Sequence, residues 1–180
     1  MAKILIDPGH GGKDPGAVVK GIREADCNWV WGLSLKEYLK TLYKFQVDLT
    51  RWKEEDNPTL EQRGKKAKGY NAFISIHCNA AANPNATGMQ IYYRPSPPSI
   101  SFATLLEKKL KPLWKVNAYP DTILYKSGLG VLRASAVYCP AVLIELGFLT
   151  NPSERLLLIT TAERLKRCQE IAKAISEIIK

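Results

Sequence analysis

Apolar and polar positions along this chain change period in a regular order. Residues 3–7, KILID, form a short apolar run with β-branched side chains and a turn signal behind it, which predicts a buried strand. From Glu24 the spacing becomes helical. Cys27, Trp31, Leu35, Leu39 and Leu42 share one face, which predicts an amphipathic helix over 24–43. FQVDLTR at 45–51 alternates and predicts a second strand. A short helix follows, started by Pro58 after Asn57 or by a Thr59–Gln62 capping box, and ended by Gly69. AFISIH at 72–77 and GMQIYYR at 88–94 predict the third and fourth strands.

The second half continues the alternation. Residues 99–116 place Phe102, Leu105, Leu106 and Leu110 on one side of a helix that Pro112 should kink or end. Residues 117–130 show no period and are expected to be irregular. AVLIEL at 141–146 predicts another buried strand. Asn151-Pro152 caps a last helical region, clearest over 163–180, where Leu165, Cys168, Ile171, Ala172, Ile175, Ile178 and Ile179 make the stripe. Strands alternating with helices predict an α/β fold around a largely parallel sheet. Ligands of such sheets sit beyond the carboxyl ends of the strands.

Composition narrows the class. A chain of 180 residues, 46% hydrophobic and 24% charged, is enough for one domain with its own core. Apolar runs are far shorter than a membrane span, so no membrane insertion is expected. MAKILIDPGHGG lacks the basic and then apolar regions of a signal peptide, so either the chain is expected to stay in the cytoplasm after synthesis or it was cut out of a longer one. Cys27, Cys78, Cys139 and Cys168 form no CxxC pair and read as reduced thiols. A net charge of +9 calls for an anionic partner such as nucleic acid, a membrane surface or an acidic cell-wall polymer. The aromatics lie mostly at core spacing with no recognisable nucleic-acid motif, which argues against the first.

The candidate chemistry is concentrated at strand ends. The chain has only two histidines. His10 follows the first strand within DPGHGG, and His77 ends the third. Glu145 lies at the end of strand 141–146, and Glu24 opens the first long helix. In a parallel sheet all four approach one edge. Two histidines and one carboxylate make a catalytic zinc shell with a position left for water. Zinc lowers the pKa of that water to about 7. A second carboxylate outside the shell can take the proton and pass it to a leaving amine. Glu24 as ligand and Glu145 as base fit these two roles, and spacing alone does not exclude the reverse. Glu145 is costly to bury within AVLIELGFL without a partner. Neither GxxxxGK[ST] nor HExxH occurs, which sets aside a phosphate loop and a helix-borne metallopeptidase site.

Five stretches in order carry a family resemblance: IDPGHGGKDPGA, the Glu24-x-x-x-Asn28 step, SIHCNA at 75–80, Thr87-Gly88, and IELGFLTNPSE at 144–154. Over roughly residues 3 to 180 the chain resembles the zinc-dependent N-acetylmuramoyl-L-alanine amidases of the amidase-3 type. The resemblance implies a single α/β domain over 1–180 with a twisted, mostly parallel central sheet flanked by helices. It implies one zinc ion per chain, and peptidoglycan as the substrate. The bond cut would join the lactyl group of N-acetylmuramic acid to L-alanine. By position, His10, Glu24 and His77 match the zinc ligands and Glu145 the catalytic glutamate. Asn28, Arg63 and Asn79 match positions that support the site or touch substrate.

Neither a wall-binding repeat nor an inserted inhibitory helix is evident, so an open site on a monomer without a separate cell-wall-binding domain is expected. A phage endolysin, cytoplasmic until holin-mediated release, fits this reading, as does a sporulation-associated autolysin released at lysis or a catalytic domain excised from a secreted multidomain enzyme. Lys and Arg over 36–44, 65–68, 108–115 and 164–173 would then attract anionic wall polymers. Two rivals remain: a zinc peptidase cutting within the stem peptide, and a basic binding module that needs no metal.

Overall fold

The N-terminal apolar run becomes β1 (Lys3–Pro8), and the chain then makes a small hairpin, β2 (Val18–Val19) and β3 (Ile22–Arg23), before α1 (Glu24–Tyr43). These bounds come from a computed structural model that describes residues 1–179; Lys180, the end of the expected last helix, lies outside the described residues. Next come β4 (Gln46–Leu49), α2 (Leu60–Lys65), β5 (Ala72–Asn79), β6 (Met89–Tyr93) and α3 (Pro97–Leu110). The chain continues through β7 (Val116–Pro120), a single 3-10 turn at Asp121–Ile123, α4 (Gly130–Ser135), β8 (Ala141–Phe148), α5 (Pro152–Ile159) and α6 (Thr161–Ile178).

Six strands form one sheet in the order β4-β1-β5-β8-β6-β7. β4, β1, β5 and β8 are parallel, β6 is antiparallel to β8, and β7 is parallel to β6. The parallel core brings the carboxyl ends of β1, β5 and β8 together. The start of β6 reaches the same end because that strand runs the other way. Glu154 of α5 ties this corner: it accepts from Thr87 Oγ1 (2.6 Å) and Gly88 N (2.7 Å) before β6, and from Phe148 N (2.7 Å) at the end of β8.

Strand alternation divides the core into two layers. One face carries Ile4, Ile6, Ile74, Ile76 and Ile144 against Trp31, Leu35 and Leu39 of α1, Phe102 and Leu106 of α3, and Ile171 and Ile175 of α6. The other carries Leu5, Phe73, Leu143 and Tyr92 against Val131 and Leu132 of α4. Toward the carboxyl ends of β1, β5 and β8 this second face changes character. Its next outward positions are Asp7, Ser75, His77 and Glu145. Two six-residue helices cover less than three long ones, and the polar residues occupy the space left.

Two expectations are corrected. Residues 117–130 are not simply irregular: they hold most of β7 and the 3-10 turn. As an edge strand largely half-buried, VNAYP has no need of strict alternation. The helix expected over 99–116 starts at Pro97 and ends at Leu110, ahead of Pro112, and Val116 opens a strand instead. The hairpin and α4 were not foreseen, because two-residue strands and a six-residue helix fall below the length at which a period can be read. Among the described residues no helix is long and apolar enough to cross a membrane. The four cysteines are buried free thiols.

Candidate active site

The site begins with the bend after β1. His10 sits in the left-handed region at φ 58°, which is costly for a residue with a Cβ and persists only where the surroundings hold it. Arg63 of α2 does the holding. Its Nη1 donates to Asp7 Oδ1 (2.8 Å) and Pro8 O (2.9 Å), its Nη2 to His10 O (2.8 Å) and Asn57 Oδ1 (3.1 Å), and its Nε to Pro58 O (2.9 Å). Asp7 also accepts from Thr50 (2.5 Å) and Ser75 (2.7 Å). Burial resists the charge on Asp7, but Arg63 and these hydroxyls outweigh it and keep the carboxyl below its ordinary range.

His10 Nδ1 lies 2.9 Å from Asp14 Oδ2, which turns Nε2 inward to 3.3 Å from Glu24 Oε2. Orientation of an imidazole through its other nitrogen is the usual support for a metal-binding histidine. Two glycines make room. A Cβ on Gly9 would fall 2.2 Å from the His77 ring, and one on Gly16 would fall 2.5 Å from Glu24 Oε2.

Glu24, the first residue of α1, is the hub. Its Oε1 lies 2.9 Å from His77 Nδ1 and accepts from Cys78 N (3.2 Å) and Asn28 Nδ2 (3.3 Å). Its Oε2 accepts from Ala17 N (3.0 Å). Burial opposes ionisation of Glu24, but His10 and His77 overcome it and hold the carboxyl far below its usual range. Burial likewise opposes a charge on His10, and Glu24 with Asp14 reverses this and raises its pKa to about 9. One ligand atom from each of His10, Glu24 and His77 lies within 4.8 Å of the others. Two imidazoles and a carboxylate facing one point fit a divalent cation of borderline softness.

Glu145 stands beside this cluster without joining it. On β8 it is in register with His77 on β5. Its Oε2 is shielded from solvent and has no hydrogen-bond partner among the described residues. Burial raises its pKa to about 7, helped by the Glu24 charge and moderated by His77 and His10. A carboxyl with that value can both take and give a proton near neutrality. A cleft of about 430 Å³ opens against His10 and His77, bounded by Asn57 to Leu60, Arg63 and Val131.

The structure therefore brings His10, Glu24, His77 and Glu145 together, and only Glu24 of the two glutamates touches both histidines. Asn28 supports the site from within α1, donating to Glu24 and to Gly9 O (3.2 Å). Arg63 pins the His10 bend. Asn79 bonds none of these four side chains; its amide reaches Gln90 on β6 (2.8 Å). Asp14 was missed in the sequence. Its one signal is a place four residues after His10 in the same glycine-rich bend.

The family model described as N-acetylmuramoyl-L-alanine amidase, Amidase_3, matches residues 4–177. This chain belongs to that family. The amidase CwlM of Bacillus licheniformis is 33% identical over 170 residues, covering 92% of this chain and 61% of that protein. The endolysin of Bacillus phage SPP1 is 32% identical over 187 residues, covering 99% of this chain and 67% of that protein. Among solved structures, the catalytic domain of the amidase CwlV from Bacillus (Paenibacillus) polymyxa var. colistinus superposes with a TM-score of 0.87 at 31% identity, covering 100% of both chains. The chain spans about three fifths of the length of the first curated amidases it resembles, 61% and 62%.

Proposed function

We propose that this chain hydrolyses peptidoglycan at the amide joining the lactyl group of N-acetylmuramic acid to L-alanine. In this reading His10, Glu24 and His77 hold one zinc ion and Glu145 moves the proton. The observation that carries the reading is the His10, Glu24 and His77 donor set with Glu145 in register beside it. Zinc, when bound, supplies Lewis acidity to a water and to the amide carbonyl.

The protein's own groups account for the rest. Asp14 and Asn28 keep His10 and Glu24 in their orientations. Arg63 fixes the His10 carbonyl and so the bend that presents the ring. Glu145 takes a proton from the attacking water and returns it to the alanine nitrogen as the C–N bond breaks. The products are a lactyl carboxylate and a stem peptide with a free amino terminus. Action on the cell wall after release at lysis suits the endolysin and sporulation relatives, with the basic surface drawing the chain to anionic wall polymers.

The test combines metal analysis with digestion of purified peptidoglycan, with and without a chelator, and mass spectrometry of the products. One zinc per chain and chelator-sensitive release of intact stems beginning with L-alanine are expected. Release of any other amino acid or shorter peptide would assign the site to a peptidase instead.

A further inference from the structure

Glu145 stands in a polar row that crosses the sheet. His77 on β5 pairs with Glu145 on β8, Glu145 with Gln90 on β6, and Gln90 with Asn117 on β7. Alternation turns all four to the face that carries the site. Directly opposed residues of an antiparallel pair have Cβ atoms about 4.5–5.5 Å apart. Gln90 is thus the neighbour of Glu145 on the side away from His77.

The direction of the Gln90 amide is fixed by a relay that starts at the backbone. Ala80 N donates to Asn79 Oδ1 (2.8 Å). The opposite end of the Asn79 amide is therefore its NH2, and this donates to Gln90 Oε1 (2.8 Å). The Tyr92 hydroxyl donates to the same oxygen (3.0 Å). With Oε1 used twice, Gln90 Nε2 is the free end, and it makes no hydrogen bond among the described residues. An amide nitrogen only donates. Ala80, Asn79 and Tyr92 thus leave this NH2 group unbonded among the described residues, on the strand position paired with Glu145.

We propose that Gln90 Nε2 donates to a carbonyl of the stem peptide beyond its L-alanine residue, on the amine side of the scissile bond, with Asn79 and Tyr92 as its positioning residues. This rests on the amidase reading. If Glu145 returns its proton to the leaving nitrogen, the amine arm departs over Glu145, and the row leads that arm to Gln90. A peptide offers a carbonyl at every residue, whereas the glycan arm leaves from the acyl side.

The experiment uses two substrates, a muramoyl tetrapeptide and N-acetylmuramoyl-L-alanine, with zinc-loaded wild type, Gln90→Leu and Asn79→Ala. Gln90→Leu is expected to raise KM for the tetrapeptide about three- to tenfold, the worth of one neutral hydrogen bond, with kcat little changed. Asn79→Ala moves KM the same way by less. For N-acetylmuramoyl-L-alanine both effects shrink to within about twofold, a difference that loss of fold or metal would not produce. A readout apart from turnover is binding of the released tetrapeptide followed by NMR. The Gln90 side-chain NH2 resonances shift in wild type, and affinity falls by the same factor in Gln90→Leu. An unchanged KM for the tetrapeptide, or an equal rise on both substrates, overturns the proposal. Failure of wild type to release stems beginning with L-alanine overturns the amidase reading instead, so the two failures are distinct.

Discussion

Glu145 and Asp14 show how much one side chain decides here. Replacing Glu145 by Gln keeps the shape and removes the proton carrier. We expect the variant to bind zinc as wild type does while turnover falls about 10²–10⁴-fold, checked by metal analysis and product release. A near-normal rate would remove Glu145 from the reaction. The pH profile has a defined sign. Burial sets Glu145 at about 7, and a dication held at the proposed site would favour its charged form. The rate therefore rises with pH, with its acid limb below 7. Asp14→Ala leaves the three proposed ligands in place but frees the His10 ring. A loss of zinc affinity of about 10–100-fold is expected in a competition titration. At this scale the four central residues were legible because each sits next to a break in the apolar pattern. Asp14 and Gln90 were not. One matters only because His10 turns back at φ 58°, the other only because β6 runs against β8.

At the scale of elements, the join between β1 and α2 carries the strain of the His10 bend. Arg63→Ala would leave Asp7 buried and unpaired, and a loss of about 3–5 kcal/mol in urea unfolding is expected. Arg63→Lys should recover little of it, since one ammonium cannot serve five acceptors in a fixed fork. Asp7 adds a pH dependence. Its folded pKa lies below its unfolded value of about 3.9, so its contribution is full above that value and is lost as pH falls through the folded one. Stability that stayed flat between pH 5 and 3 would contradict this. The long helices and central strands were readable because each buries a whole face. The hairpin, α4 and β7 were not, being short or at an edge, where tertiary contacts rather than local pattern decide the backbone.

The whole molecule separates its work between the faces of the sheet. Three long helices make the core on one side, and the other side trades packing for a polar site. The net charge of +9 acts at this scale as a diffuse attraction rather than a site. If it draws the chain to anionic walls, retention on purified walls should fall steadily as salt rises from about 0.05 to 0.5 M, following the shortening screening length. Salt-independent retention would point to a specific contact instead. Parallel strands with the candidate site at their carboxyl ends followed from the order of the elements. The reversed pair β6 and β7 did not, since an antiparallel strand and a parallel one can look alike within a five-residue run.

The Glu154 clamp has a consequence for alignment. The amides it joins, Gly88 and Phe148, enter and leave neighbouring antiparallel strands at one end, so a single carboxylate acts as a pin through two sliding rails. A slip by one residue would rotate Gln90 and Glu145 to opposite sides of the sheet. Glu154→Ala should therefore first betray itself as two populations. Amide resonances along β6 would double while the circular dichroism stayed native, and the inactive fraction would match the minor set. Loss of function here would be an error of indexing, in a molecule still fully folded.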